Sequence, residues 1–182
     1  MTPEQAQDIK QQLSAVSADA LGLVAGRDEA ALTRRPAAGG WSAAECLQHL
    51  ILTADAMLPL AEAGLQTLVR EGRKSSRPAG LGILGWLLAR SLEPPPRIKS
   101  KTITPFEPVA FTEPLTLAAR FAATNERFGA FVDRAIGYDT GSVKVASPFN
   151  ASIRYGVHAA LRIVLAHARR HLFQAREALG RA

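Results

Sequence analysis

Three histidines are the residues of this sequence best suited to carry out chemistry. His49 lies in the segment Trp-Ser-Ala-Ala-Glu-Cys-Leu-Gln-His-Leu, and His167 and His171 lie in His-Ala-Arg-Arg-His. Each falls inside a helical pattern, on or beside its apolar face. Residues four apart project from the same side of an α-helix, so the pair can point at one place. If His49 meets the pair across a helical core, three neutral imidazoles leave a fourth ligand position open, as in a catalytic metal site.

These residues could also have structural roles that involve no metal. His49 alone could be a core histidine whose ring is held by Glu45, one turn before it, or by Thr53, one turn after it. Cys46 is a neighbour of His49 and thiolates bind soft metals, but a buried cysteine usually behaves as a small apolar residue. We therefore leave Cys46 out of the predicted site.

The histidine pair of the last helix has its own alternative. A spacing of four can arise by chance at the edge of a solvated face, and Arg169 and Arg170 lie between the two histidines. The same helix contains His158, which shares a face with Arg154 and Arg162. We therefore expect His158 to face solvent and to take no part in metal binding.

Four long helices are predicted to position these residues, because apolar side chains recur at helical spacing. Thr2 and Pro3 open the first helix, and Ser42 with Glu45 forms a capping box that opens the second. Pro59 lies inside the second helix and could kink or break it. The predicted helices span residues 3–24, 42–71, 112–135 and 151–179.

A long irregular segment, residues 73–112, separates the second and third predicted helices. It is too long for a turn between neighbouring helices and indicates a crossover from one end of a bundle to the other. Within it, the apolar residues 81–89 could cover the bundle, form a subunit interface or lie on a membrane surface. We favour the first of these. The sequence thus predicts an all-α four-helix bundle, a single domain over residues 1–182.

Composition narrows the functional class. The chain has 182 residues, of which 47% are hydrophobic and 21% charged, which is typical of a globular protein. Its polar, acidic start does not resemble a secretory signal, and no apolar run is long enough to span a bilayer. The single cysteine excludes an intramolecular disulfide framework. We therefore expect a cytoplasmic protein.

The net charge of +6 is unevenly distributed. Eight basic and two acidic residues lie between positions 70 and 101, which accounts for the whole excess. A nucleic-acid-binding fold would show a basic face with a reading helix or interleaved aromatics, so we expect no nucleic-acid partner. The basic segment could attract anionic substrates or lipid headgroups. We expect a small-molecule substrate and rank a membrane partner last.

Two motifs and the crossover together resemble the DinB-like superfamily over about residues 3–179. The motifs are Trp-Ser-x-x-Glu-x-x-x-His-Leu, which ends at Leu50, and His-x-x-x-His-x-x-Gln, which ends at Gln174. The resemblance implies an up-down-down-up four-helix bundle with a metal bound by three histidines, at positions matching His49, His167 and His171. The apolar segment and triple proline of the crossover depart from the family, so its substrate mouth is not carried over.

The resemblance also implies a range of activities. Characterised relatives include transferases and an isomerase that use low-molecular-weight thiols such as bacillithiol or mycothiol. It therefore implies a divalent metal, with zinc or nickel favoured, a thiol cofactor, S-transferase activity and a homodimer. Two alternatives stay open: a metal-dependent hydrolase, and a non-catalytic bundle that associates through the apolar crossover segment. The sequence offers no convincing carboxylate beside the histidines as a general base.

Overall fold

The computed structural model describes residues 1–37, 39–95, 102–109 and 113–180. It is mainly helical, with one small antiparallel sheet. The four long helices are α1 Pro3–Val24, α3 Ala43–Arg70, α5 Leu117–Ala135 and α6 Val157–Ala178. The shorter elements are α2 Glu29–Thr33, α4 Gly82–Leu92, the 3-10 turns Thr104–Phe106 and Pro114–Thr116, and the strands β1 Lys144–Ala146 and β2 Arg154–Gly156. The predicted start of the third long helix at Thr112 lies outside the described residues.

Side-chain caps fix the beginnings of the first two long helices. Thr2 and Gln5 form a capping box at α1, and Ser42 and Glu45 form one at α3, as predicted. Each box satisfies two backbone N–H groups that a helix start otherwise leaves without partners. Pro59 does not interrupt α3, which continues for 28 residues.

The last helix starts later than its apolar periodicity predicts. We predicted a start at residue 151, but α6 begins at Val157, and β2 before it pairs antiparallel with β1. Tyr155 lies opposite Val145 in this pair, and both side chains are buried. The pairing satisfies the backbone and buries apolar side chains, so it replaces the first predicted turns of the helix.

The direction of each long helix follows from the side-chain pairs between them. From the start of α1 towards its end, its partners move backward along α5 and forward along α6. From the start of α3, its partners move forward along α5. The α1–α5 pairs are Lys10–Asp133 and Ser17–Asn125, the α1–α6 pairs are Asp8–Arg162, Gln12–Arg169 and Asp19–Arg176, and the α3–α5 pairs are Asp55–Arg127 and Glu62–Arg134.

The α4 helix packs lengthwise on α6 through a glycine. A Cβ atom added at Gly85 would lie 2.6 Å from the Cβ of Ala159, so the absent side chain allows a close approach. Further along, Glu93 and Arg169 form a bidentate ion pair. One face of the apolar segment therefore packs on α6. No helix of the described ranges is both long and apolar enough to cross a membrane.

Candidate metal centre

The structure brings His49 of α3 together with His167 and His171 of α6. The Nε2 atoms of His49 and His167 are 3.2 Å apart, and one ring nitrogen from each of the three residues lies within 4.8 Å of the other two. Nitrogen ligands of a tetrahedral zinc ion, bound at about 2.0–2.1 Å, lie roughly 3.3 Å apart. The His49–His167 distance therefore matches two ligands of one ion, and the three residues together could hold a divalent metal.

A backbone carbonyl fixes the orientation of the His49 ring. Nδ1 of His49 lies 2.7 Å from the carbonyl oxygen of Phe106, which can only accept, so Nδ1 carries the proton. Nε2 is then unprotonated and faces the other two rings as a ligand. The alternative in which Glu45 or Thr53 holds this ring does not apply, because the Thr53 hydroxyl donates to the backbone oxygens of His49 and Leu50 instead.

Glu45 is engaged elsewhere. Its carboxylate accepts a 2.8 Å hydrogen bond from the backbone N–H of Ser42 and forms a bidentate ion pair with Arg35. Burial works to raise the pKa of Glu45, but the hydrogen bonds from Arg35 and Ser42 outweigh it and lower that pKa. Glu45 is therefore a stable anion that orients the start of α3, and it is poorly placed to accept a proton at the site.

The three imidazoles are held in the neutral form. Loss of solvent, with the nearby His49 and Arg170 acting in the same direction, lowers the pKa of His167 to about 3. Burial likewise lowers the pKa of His49, and that of His171 falls well below its usual value. Neutral imidazole is the form that binds metals, so the rings need not release protons when a metal binds near neutral pH.

Aromatic side chains surround the three histidines. The Trp41 indole stacks on His171 with ring centroids 5.7 Å apart and lies 4.8 Å from His49. On another side, the Phe149 ring lies 5.7 Å from His167 and 38% of its surface is exposed. His167 itself is only partly buried. The cluster therefore opens to solvent beside His167 and Phe149, between apolar walls.

His171 has a polar neighbour outside the histidine cluster. Gln174, one turn later, approaches its ring and acts to raise its pKa against the effect of burial. Its Nδ1 atom is nevertheless buried without a hydrogen-bond partner among the described residues. A buried ring nitrogen without a partner is costly, and binding a metal through one nitrogen with Gln174 on the other would relieve that cost.

The other two candidates of the sequence lie outside the cluster. His158 is buried, with 5% of its surface exposed, so our prediction that it faces solvent is wrong. Gln5 covers it, with the two Nε2 atoms 3.4 Å apart, and Gln5 in turn bonds both backbone groups of Ala79. Cys46 is also buried, and burial raises the pKa of its thiol to about 12. That thiol stays protonated and is a poor ligand.

Comparison with known protein families agrees with this geometry. The family model described as the DinB superfamily matches residues 12–175, which includes all three histidines of the cluster. The chain belongs to the DinB superfamily. No curated protein and no solved structure matches it. The DinB assignment and the three-histidine cluster are together compatible with a metal-binding enzyme.

Sequence reasoning missed three residues of this DinB site. Phe106 ends a short 3-10 turn and Phe149 lies between the two strands, and no periodicity marks either residue. Arg170 was taken only as a sign of a solvated edge, yet it is 6% exposed and lowers the pKa of both neighbouring histidines. The one available signal was its position between two histidines at ligand spacing.

Proposed function

We propose that His49, His167 and His171 bind one divalent transition metal, with zinc or nickel favoured, and that the protein is a metal-dependent thiol S-transferase. The observation that carries this proposal is the convergence of three neutral imidazoles in a partly open pocket without a fourth protein ligand among the described residues. A divalent ion held there would supply an open Lewis-acid position that stabilises a thiolate at neutral pH.

The surroundings favour a thiol over a water nucleophile. A hydrolase needs a group that accepts a proton from water, and no carboxylate of the described ranges joins the cluster. Glu45 is occupied by Arg35 and Ser42. A thiol ionises far more readily than water and can lose its proton directly to solvent. Since the site offers no base, the transferase is our first choice and the hydrolase the alternative.

The reaction itself is a substitution at an electrophilic carbon. The thiol releases its proton to solvent, the sulfur forms a bond to carbon, and the leaving group departs with the bonding electrons. The positive charge of Arg170, which lies beside His167 and His171, favours negative charge on the bound sulfur. Trp41 and Phe149 offer apolar surfaces for the electrophile.

We infer that the helices form an up-down-down-up bundle. The paired side chains run in opposite directions for α1 with α5, and in the same direction for α1 with α6 and α3 with α5. These directions support a bundle in which α1 and α6 point up and α3 and α5 point down. It sets α3 antiparallel to α6, so that one histidine of α3 can face two of α6.

A thiol-conjugation assay tests the proposed reaction. Protein loaded with zinc or nickel is mixed with bacillithiol or mycothiol and an aryl chloride or epoxide, and loss of free thiol is followed. We expect metal-dependent turnover that falls at least 100-fold in His171→Ala and is retained in His158→Gln. His158 is the matched control, because it lies on the same helix and is equally buried but outside the cluster.

Two results would contradict the transferase. One is a metal-loaded protein that accelerates no conjugation with any of these thiols. The other is metal-dependent cleavage of ester or amide substrates without added thiol, which would establish the hydrolase.

We also expect the protein to act in a reducing compartment such as the cytoplasm, where a small thiol stays reduced.

A further inference from the structure

The outer side of α4 is an exposed apolar face. Gly85 faces α6, and the side chains opposite it on the helix point outward. Ile83, Trp86 and Leu87 are 83%, 55% and 51% exposed, and with Arg90 they follow the spacing i, i+3, i+4, i+7 of one helix face. We call these four residues the α4 outer face. Apolar side chains this exposed on one short helix mark a contact with something outside the chain.

The chain segment that contains α4 carries positive charge and almost no negative charge along its sequence. No acidic residue occurs between Glu71 and Glu93, and Glu93 is paired with Arg169. Over the same stretch Lys74, Arg77 and Arg90 are exposed and form no ion pair within the described residues. A partner for this surface must therefore tolerate or supply negative charge.

The size of the face argues against a second copy of the chain. A stable protein interface buries about 800 Å² on each partner, contributed by about 20 residues or more. The α4 outer face is one side of an 11-residue helix. A shallow patch of this kind is sufficient at a lipid surface, where tryptophan and leucine enter the headgroup region and cations meet anionic lipids.

We propose that the α4 outer face binds an anionic membrane surface peripherally. Ile83, Trp86 and Leu87 enter the headgroup region, and Arg90 lies against lipid phosphates. The docking of Gly85 on α6 keeps the helix on the body of the protein, so binding needs no rearrangement of the long helices. The metal site takes no part in this contact.

Vesicle co-sedimentation tests this proposal with a matched pair of variants. The probes are vesicles of phosphatidylcholine alone and of phosphatidylcholine with phosphatidylglycerol, at low and moderate salt. Leu87→Glu changes the α4 outer face, and Leu21→Glu makes the same substitution at a leucine of similar exposure on α1. We expect salt-sensitive binding to phosphatidylglycerol vesicles, weakened at least 10-fold by Leu87→Glu and unchanged by Leu21→Glu.

Tryptophan emission gives a second readout. The chain has two tryptophans, so Trp41→Phe leaves Trp86 as the only one, and its emission should shift to shorter wavelength on anionic vesicles. Absence of binding to these vesicles, equal binding to uncharged ones, or equal loss in both leucine variants would overturn the proposal. So would a concentration-dependent dimer that Leu87→Glu abolishes, because a second copy would then occupy the face.

Discussion

The Nδ1 atom of His49 donates a 2.7 Å hydrogen bond to the carbonyl oxygen of Phe106, 57 residues further along the chain. This bond joins the crossover to the ligand cluster and leaves Nε2 of His49 free to face His167. A hydrogen bond that orients a metal-binding histidine contributes to metal affinity, and its loss typically weakens binding about 10-fold to 100-fold. The crossover is therefore part of the proposed metal centre.

Replacing Phe106 by alanine should weaken metal binding. Its ring is 7% exposed and holds the backbone in place, so its removal frees the carbonyl that orients His49. We expect the metal dissociation constant to rise about 10-fold to 100-fold. Competition with a chromophoric chelator measures this change.

Phe149→Ala is the control for that experiment. The Phe149 ring contacts the Phe106 ring at 4.7 Å and lines the opening, but its backbone makes no bond to His49. We expect its metal affinity to stay within about 3-fold of the wild type, below the loss expected for an orienting partner. Equal losses in both variants would mean that aromatic packing, and not the carbonyl, determines affinity.

His158 should make the stability of the metal-free protein depend on pH. Burial first, and then Arg162, lowers its pKa to about 4, while Asp8 acts weakly in the opposite direction. In the unfolded chain the pKa of this histidine is near 6.5, so below that pH the unfolded state binds more protons than the folded state. The contribution of His158 to the free energy of unfolding is therefore fully present above pH 6.5 and is lost towards pH 4. From pH 7 to pH 5 this one group should reduce the free energy of unfolding by about 2 kcal/mol.

Denaturant unfolding of chelator-treated protein between pH 7.5 and pH 5 measures that loss. In His158→Gln the free energy of unfolding should fall less steeply as the pH decreases, because the contribution of His158 is missing. It should still fall, because the other buried histidines still titrate. Parallel curves for the wild type and the variant would show that His158 is charged in the folded state or titrates normally.

Cys46 should be unreactive in the folded protein and dispensable for metal binding. It is 1% exposed, and burial raises its thiol pKa to about 12. A thiol-reactive disulfide reagent should label it only after denaturation, and Cys46→Ala should keep stoichiometric metal. Rapid labelling of the native protein, or metal loss in the variant, would place Cys46 at the site.

The double variant Gly85→Ala/Ala159→Gly should be destabilised less than either single variant. Gly85→Ala places a Cβ 2.6 Å from that of Ala159, and such overpacking costs about 1–3 kcal/mol against a helix-propensity gain of about 1 kcal/mol. Ala159→Gly alone costs about 1 kcal/mol. The double variant should therefore be more stable than the sum of the two single effects, as denaturant unfolding would show. Strict additivity would mean that α4 does not dock here.

The helix starts could be predicted from sequence because they depend on neighbouring residues. The capping boxes at Thr2 and Ser42 are local patterns, and both helices begin there. The start of α6 could not, because residues 154–156 pair with residues 144–146 and only the folded chain brings these segments together. A non-local pairing replaced the helical pattern that the residues follow on their own.

The same distinction separates the two histidine predictions. His167 and His171 lie one turn apart on one helix, so their convergence is a property of local spacing. His158 was misjudged because Gln5, which covers it, and Ala79, which holds Gln5, come from distant parts of the chain. The role of the Phe106 carbonyl could not be predicted either, because every residue has a backbone carbonyl and the sequence does not mark the one that bonds His49.

Metal content is the most direct test of the central claim. Wild-type protein purified without chelator or affinity tag, and His49→Ala, His167→Ala and His158→Gln beside it, would be measured by mass spectrometry after equilibration with zinc or nickel near neutral pH. We predict about one transition metal per chain in the wild type and in His158→Gln, and none in the other two. Wild-type protein without metal, or metal that survives both His49→Ala and His167→Ala, would contradict a three-histidine metal centre.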